Sequence, residues 1–207
     1  MNSLVVVSHA DSNSLTHHVA HATVNALRDA GGSVELADLH AEGFDPRFAD
    51  ADLSLYRGTG SAPNDVVSEQ ERIDRAEHLI LVFPMYWWSF PALLKGWIDR
   101  IFVNGWAFDF TPGSSFQKKL GHLTIHLIPV VGDDAASFER HGIDVAIRTQ
   151  IERGIIEYCG ARVGSTTFLY ESDTKPKDVL TAEIHELASD IASRVSGLES
   201  VGATGQR

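Results

Sequence analysis

Blocks of apolar and polar positions follow one another along this chain in a pattern that predicts strands and helices in turn. Continuous apolar runs at residues 4–8 and 78–83 are typical of strands buried on both faces of a sheet. Residues 15–30 repeat apolar side chains at helical spacing, and two glycines follow that helix. The same reasoning predicts further strands over 33–39, 120–128 and 162–170. It predicts further helices over 65–76, 92–103, 143–158 and 176–194.

This alternation predicts a single α/β domain over residues 1–195 and a frayed tail over 196–207. Strands joined through helices form parallel sheets with right-handed crossovers. Five strands fit the flavodoxin-like, doubly wound order 2-1-3-4-5, whose switch point lies between strands 1 and 3. We therefore expect a ligand site where three loops meet, namely 9–14, 84–90 and 129–141. The long segment 40–64 is predicted to be irregular and to cover something.

The overall charge limits the possible partners. Lys and Arg number 17 against 28 Asp and Glu, which gives a formal net charge of −11. Such an acidic chain is a poor match for nucleic acid or for an anionic membrane surface. Any phosphate group on a ligand must therefore be held by local donors against an unfavourable overall field.

Cysteine usage and hydropathy indicate a cytoplasmic protein. The chain has one cysteine, Cys159, which suits a reducing compartment. Its apolar surroundings favour a core position over a nucleophile. No positively charged start precedes an apolar run, and no run reaches the roughly 18 apolar residues of a membrane span. We expect no membrane insertion.

An aromatic cluster follows the third predicted strand. The segment 83–91 reads F-P-M-Y-W-W-S-F-P, so Tyr86, Trp87 and Trp88 stand together beside a proline. One interpretation is a hydrophobic corner that seals the junction between strand and helix. The other is a surface for a planar ligand, since ligands of open α/β sheets bind at the carboxyl ends of the strands.

The first crevice loop offers donors at a helix N-terminus. Ser12, Asn13, Ser14 and Thr16 supply hydroxyl groups and free backbone N–H groups, and His9 adds another donor. This chemistry suits phosphate, although the loop has no glycine motif and could equally be an ordinary capped helix start.

The histidines give no clear metal pattern. His17 and His21 have the spacing of a helical ligand pair, but no third ligand accompanies them, and we expect them to face solvent or a partner. His122 and His126 alternate within a predicted strand, also without a metal pattern. We therefore predict no metal site. His141 differs because it ends the third crevice loop.

A longer motif identifies a family. The runs P-A-L-L-K-G-W-I-D-R-I-F and G-W-A-F follow the aromatic cluster at 91–102 and 105–108. Together with Ser8-His9 and Ser14-Leu15-Thr16, they resemble the NAD(P)H:quinone oxidoreductases of flavodoxin-like fold, the DT-diaphorase family. The resemblance covers most of the chain. It implies a flavin cofactor, with NAD(P)H as co-substrate. The long 40–64 segment resembles that of FAD-binding members and favours FAD, with FMN as the alternative.

The resemblance also assigns roles to individual residues. It places the flavin phosphate at four residues of the first loop: His9, Ser14, Leu15 and Thr16. It lines the flavin ring with the loop after the third strand and with the third loop: Pro84, Met85, Tyr86, Trp87, Trp88 and Gly132. The third loop lacks the family's usual tyrosine but retains His141, which we therefore take as the catalytic donor.

The expected reaction passes a hydride from NAD(P)H through the flavin to a quinone-like acceptor in ping-pong turnover. The family places aromatics such as Phe108 and Phe110 over the partner's pocket, and Trp88 would join them in binding substrate. A homodimer with active sites at the interface follows. If 106–110 is extended, Trp106, Phe108 and Phe110 point the same way; the alternative packs them into their own core.

Other possible functions are an azo- or nitroreductase, a regulatory flavoprotein of a membrane transporter, and an electron carrier.

Overall fold

A computed structural model describes residues 1–197 of the chain. The strands, numbered along the chain, are β1 Asn2–Val7, β2 Ser33–Asp38, β3 His78–Pro84, β4 Phe108–Asp109, β5 Gln117–Lys118, β6 Thr124–Val130 and β7 Arg162–Thr166. Five of them form one parallel sheet in the order β2-β1-β3-β6-β7, and β4 and β5 pair as a separate antiparallel ribbon. This sheet confirms the predicted flavodoxin-like order.

Helices flank the sheet on both sides. They are α1 Leu15–Asp29, α2 Asp50–Tyr56, α3 Asn64–Asp74, α4 Ala92–Ile101, α5 Ala135–His141, α6 Ile143–Ile147, a π-helix Arg148–Glu157 and α7 Lys177–Val195. Among these described helices none combines the length and the hydropathy of a membrane span. The predicted tail falls mostly on 198–207, outside the described residues.

The apolar strand sequences produce two cores because successive side chains of a strand point to opposite faces. On β1, Val5 and Val7 pack with α1 and α7, and Leu4 and Val6 pack with the elements on the other face. That second core contains the fully buried Trp97 of α4. A doubly covered parallel sheet explains why the central strands read as unbroken apolar runs.

The 40–64 segment packs against α4. The expectation that this segment is wholly irregular was wrong, because it contains α2. The guanidinium of Arg100 bonds Asp52 of α2 at 2.9 Å, Asp65 at 2.6 Å and the Asp45 carbonyl at 2.8 Å. A side chain at Gly96 would lie 2.2 Å from the Pro46 carbonyl oxygen, so only glycine permits this close approach.

Three other expectations differ from the structure. The third crevice loop holds a short helix, α5, rather than loop alone. The helix predicted over 143–158 is α6 followed by ten residues of π-helix. The segment 106–110 is not extended throughout: only Phe108–Asp109 is strand, and Trp106 donates its indole N–H to Asp74 instead.

Candidate active site

Two neighbouring cavities lie at the carboxyl ends of the strands, at the predicted switch point. The larger, here called the crevice cavity, has a volume of about 430 Å³. Most of its walls come from predicted site residues: His9, Ser14, Leu15, Thr16, Pro84, Met85, Tyr86 and Gly132. The smaller, the aromatic cavity, has about 180 Å³ and shares Met85 and Gly132 with the first. The three loops expected to meet do meet.

The first loop is shaped by hydrogen bonds to its own backbone. Ser14 is the N-cap of α1 and accepts a hydrogen bond from the His17 backbone N–H. The Asp11 carboxylate accepts from the Asn13 N–H at 2.8 Å, so it is engaged within the loop. The Asp11 N–H donates to Nδ1 of His9 at 3.0 Å, which leaves Nε2 of a neutral His9 ring to carry the proton. The loop thus presents a hydroxyl and an imidazole N–H beside a helix N-terminus.

The aromatic cluster is a tight turn in an unusual conformation. Ser89 donates its N–H to the Tyr86 carbonyl at 3.1 Å, and φ is +49° at Trp87 and +55° at Trp88. Positive φ at both central residues is the mark of a type I′ turn, a place normally taken by asparagine and glycine. Each bulky residue there costs on the order of 1–3 kcal/mol.

This strained turn holds its rings in solvent. The side chain of Trp87 is 88% exposed and that of Trp88 is 48% exposed, and the two rings meet edge to face at 5.9 Å. Both line the aromatic cavity, opposite Phe138 of α5. A hydrophobic corner would bury these rings, so the corner interpretation is wrong for Trp87 and Trp88.

The third loop contributes Gly132 and brings in a segment that sequence reasoning missed. A side chain at Gly132 would lie 2.8 Å from the Asp173 carboxylate, so the glycine allows Asp173 and Ser172 to reach the crevice cavity. The Ser172 N–H donates to the Val131 carbonyl and fixes this contact. These residues follow β7 by several positions, and no sequence motif marks them.

His17 was singled out in the sequence for the wrong reason. It is 2% exposed, which contradicts the expectation that it faces solvent or a partner. Its Nδ1 lies 3.0 Å from the Ser14 hydroxyl and its Nε2 lies 2.9 Å from the Asp38 carboxylate. His21 is exposed, and the described residues contain no cluster that could hold a metal ion.

Two predicted roles fall on residues outside these cavities. His141 is the exposed last residue of α5 and does not belong to the lining of either cavity. Phe108 and Phe110 line a separate groove of about 750 Å³, with Tyr56, Phe102 and Tyr158 among its walls. Phe110 is 54% exposed there, whereas Phe108 packs against Phe116 and Tyr158.

Two other candidates prove structural. Cys159 is buried, and its burial raises the pKa of the thiol to about 11, so it is an inert core residue. His126 is 1% exposed and sits between His78 and Ser165, at 3.2 Å and 3.0 Å. Both belong to the interior and not to the crevice.

Comparison with known proteins agrees with this geometry. A family model described as "Flavodoxin-like fold" matches residues 1–194. A ribosyldihydronicotinamide dehydrogenase [quinone] of Mus musculus is 30% identical over 186 residues, which span 77% of each chain. An NAD(P)H:quinone oxidoreductase from Methanothermobacter marburgensis superposes with a TM-score of 0.82 at 22% identity, covering 94% of this chain and 96% of that one.

A second solved structure extends the likeness beyond quinone reductases. An FMN-dependent NADH-azoreductase from Bacillus anthracis, in complex with FMN, superposes with a TM-score of 0.72 at 15% identity. That match covers 95% of this chain and 100% of the other, and at this identity it shows the fold alone. The family match and the mouse relative go further: the chain belongs to the flavodoxin-like family of the NAD(P)H dehydrogenases (quinone), as its sequence predicted.

Proposed function

We propose that this protein is a flavin-dependent NAD(P)H oxidoreductase that passes a hydride to a quinone-like acceptor. The observation that carries the proposal is the meeting of the donor-rich first loop and the strained tryptophan turn at one switch point. Membership in the family makes the chain an oxidoreductase. When bound, the flavin would accept a hydride from the nicotinamide and deliver it to the acceptor.

The residues present fit a flavin. The crevice cavity offers a hydroxyl at Ser14, an imidazole at His9 and the N-terminus of α1, which together suit a phosphate. The aromatic cavity next to it has the flat side chains of Trp87 and Trp88 and the close backbone approach at Gly132. A pocket with hydrogen-bond donors, adjacent to one lined by flat aromatic rings, matches a molecule that has a phosphate at one end and a ring at the other.

The chain's own residues would bind and orient the reactants. Backbone groups of Pro84, Met85 and Tyr86 would hold the ring edge, and the exposed tryptophan faces would align a planar substrate against it. His141 stays the predicted donor at the ring, although it ends α5 outside both cavities. Ping-pong turnover follows if both substrates use the same aromatic surface in turn.

The cofactor is FAD or FMN. The long 40–64 segment favoured FAD, whereas the azoreductase of similar fold is named for FMN. One feature of the crevice cavity counts towards FMN, since the Asp173 carboxylate at its edge would repel the second phosphate of FAD. On the resemblance of the 40–64 segment we propose FAD as the first candidate and FMN as the alternative, to be separated by direct titration.

One exposed groove supports assembly as a homodimer. The groove that holds Phe108 and Phe110 is lined by exposed aromatics such as Tyr56, which is 77% exposed. Exposed apolar patches of this kind mark interfaces or binding grooves. We propose that a second copy covers this face and that Phe108 and Phe110 reach the pocket of the other subunit.

An azoreductase is the second candidate function. The observation that favours it is the exposed aromatic surface, which would accept a planar azo compound, and a Bacillus anthracis protein of similar fold is named an azoreductase. The two functions differ in the acceptor alone.

Steady-state kinetics test the proposal. Protein loaded with FAD or FMN is assayed with NADH or NADPH against a benzoquinone and against an azo dye. We expect parallel double-reciprocal lines and a higher kcat/KM for the quinone. A loaded protein that oxidises NAD(P)H with neither acceptor would overturn the assignment.

His141→Ala should lower kcat by roughly 10²-fold if His141 is the donor, with exposed His122→Ala as the matched control.

A further inference from the structure

A chain of hydrogen bonds runs from the crevice cavity into the protein interior. Ser14, on the cavity wall, contacts Nδ1 of His17 at 3.0 Å, and Nε2 of the same ring contacts the Asp38 carboxylate at 2.9 Å. The His17 side chain is 3% exposed and that of Asp38 is 21% exposed. A buried imidazole therefore links a wall hydroxyl to a carboxylate at the end of β2.

Asp38 is a carboxylate at neutral pH. Burial raises its pKa, but the N–H of Ala41 and the His17 ring stabilise the charged form, so the pKa of Asp38 lies below its ordinary value. Its Oδ1 accepts the backbone N–H groups of His40 and Ala41, both at 3.1 Å. Its Oδ2 faces His17. Because a carboxylate only accepts, Nε2 of His17 must carry a proton.

The Ser14 hydroxyl then has two arrangements that differ by one proton on His17. If the ring is neutral, Nδ1 has a lone pair, and the hydroxyl donates its single proton to that nitrogen. If the ring is charged, Nδ1–H donates to the Ser14 oxygen, and the hydroxyl is free to donate into the crevice cavity. Only the second arrangement offers a hydrogen-bond donor to an anion.

The cavity supplies little other positive charge. Among the described residues that line it there is no lysine and no arginine, and Asp173 adds a carboxylate. The whole chain carries a formal charge of −11. A phosphate in this cavity would gain more from a charged His17 directly behind Ser14 than it would at a site already rich in cations.

We propose that His17 is a positioning residue that takes up a proton from solvent when the cofactor phosphate binds, and so turns the Ser14 hydroxyl into a donor to that phosphate. The inference rests on the proposed flavin site. It assigns a role to a residue between the loop and the core that the family motif does not include. Its consequence is that binding of the phosphate end, and not of the ring, is coupled to pH.

Other titratable groups near His17 must be separated from it. The His9 ring, after β1, lies 6.3 Å away centroid to centroid, and His21, one turn later in α1, lies at the same 6.3 Å. From β2 and the turn after it come Asp38 and His40. The phosphate of FMN itself titrates near pH 6. Subtracting a His17 variant from the wild type removes the contributions that the two proteins share.

Calorimetric titration of the full chain with FMN and with riboflavin, which lacks the phosphate, tests the proposal. Each titration is run at pH 6 and pH 8 in two buffers of different ionisation enthalpy, so that proton uptake is measured directly. The variants are His17→Gln and Asp38→Asn, with His18→Gln as the control because His18 is the exposed neighbour. Asp38→Asn keeps the oxygen that accepts from His40 and Ala41.

We expect His17→Gln to weaken FMN binding at pH 6 by about tenfold, to leave riboflavin binding within about twofold, and to take up fewer protons than the wild type. Asp38→Asn should also lose the uptake, but it should keep FMN affinity within about threefold, since an asparagine amide lets a neutral ring donate to Ser14. His18→Gln should match the wild type.

Three results would overturn the proposal in distinguishable ways. If the wild type binds FMN but His17→Gln shows the same proton uptake and the same FMN-to-riboflavin affinity ratio, the role of His17 is wrong and the flavin site stands. If the wild type binds neither FMN, FAD nor riboflavin, the flavin site is wrong and the role of His17 falls with it. If His17→Gln fails to fold, unaltered proton uptake in Asp38→Asn overturns the linkage alone.

Discussion

At the scale of single residues, Trp87 combines a strained backbone with an exposed ring, the combination on which its proposed binding role rests. It sits at φ +49° with its side chain 88% exposed, so it bears backbone strain and gains little from burial. Trp87→Gly should therefore raise the free energy of unfolding by about 1 kcal/mol and weaken flavin affinity by about tenfold. Denaturant unfolding and flavin titration measure the two effects.

The control for Trp87→Gly is Tyr56→Ala, which removes another aromatic ring. Tyr56 is 77% exposed and lines neither the crevice cavity nor the aromatic cavity. It should leave flavin affinity unchanged. If Trp87→Gly keeps flavin as tightly as the wild type, the ring-binding role of the turn is refuted.

His126 gives the fold a specific sensitivity to acid. Burial, followed by the neighbouring His78, lowers the pKa of His126 from 6.5 to about 4. In the unfolded chain the ring gains its proton near pH 6.5, whereas in the folded chain it does so only near pH 4. The unfolded state therefore binds more protons across that window, and stability falls as pH drops, by roughly 3 kcal/mol at most for this residue.

Replacement of His126 tests that sign. Denaturant unfolding at pH 7 and pH 4.5 should show a smaller loss of stability for His126→Leu than for the wild type. The ring lies directly against Gly164, where an added side chain would meet it at 2.3 Å, so each protein is compared with itself at the two pH values to cancel any change in packing. Equal losses in the two proteins would show that His126 does not control the acid response.

At the scale of elements, the hydrophobic pattern predicted the strands and helices that bury a continuous apolar face. It missed elements that are held by contacts between residues far apart in the sequence. The apolar runs identified β1 and β3, and the 3.6-residue repeat identified α1, because each of these elements buries a continuous surface. The seven residues of α2 have no such surface. The buried ion pair of Asp52 with Arg100 secures that helix, and an ion pair between distant positions leaves no local signal.

The same distinction applies to the site. The first loop and the tryptophan turn were predicted because their residue types are distinctive. Ser172 and Asp173 were missed because they reach the crevice only through hydrogen bonds between the loops after β6 and β7. The π-helix was missed because a wider backbone turn is not visible in side-chain spacing. One of its residues, Gln150, accepts a hydrogen bond through Oε1 from the Ser89 hydroxyl at 3.3 Å, at the end of the tryptophan turn.

Arg100 joins α4 to the 40–64 segment through an ion pair with Asp52. Its removal should show how much stability is lost when a buried carboxylate loses its counter-ion. The Arg100 side chain is 6% exposed and that of Asp52 is 2% exposed. Arg100→Ala should lower the free energy of unfolding by about 3 kcal/mol, because it would leave the Asp52 carboxylate buried without its counter-ion. The control is Arg47→Ala, whose ion pair with Asp45 is 84% exposed on the arginine side and should matter by less than about 1 kcal/mol.

Thermal or denaturant unfolding of both variants measures the difference. Equal small losses would mean that the buried pair does not hold the segment, and that the packing of Gly96 against Pro46 does so instead.

At the scale of the whole molecule, we expect a dimer because of the groove that holds Phe108 and Phe110. Its exposed rings lie on the face of the sheet opposite α1 and α7. Phe110→Ser should shift sedimentation at micromolar concentration toward the monomer of 22.6 kDa, weaken acceptor binding severalfold and leave flavin in place. Val179→Ser, on α7, is the matched control because Val179 is 40% exposed on the other face. A fully active monomer would refute the shared pocket.

The central claim is that the crevice cavity and the aromatic cavity together bind one flavin per chain. The most direct measurement is the visible spectrum of the purified protein after incubation with FAD or FMN and removal of unbound ligand by gel filtration. Our account predicts a yellow protein with near-stoichiometric flavin, whose absorbance near 450 nm is bleached by NADH or NADPH, with roughly tenfold weaker retention in Trp87→Gly. A folded protein that stays colourless with both flavins would contradict it.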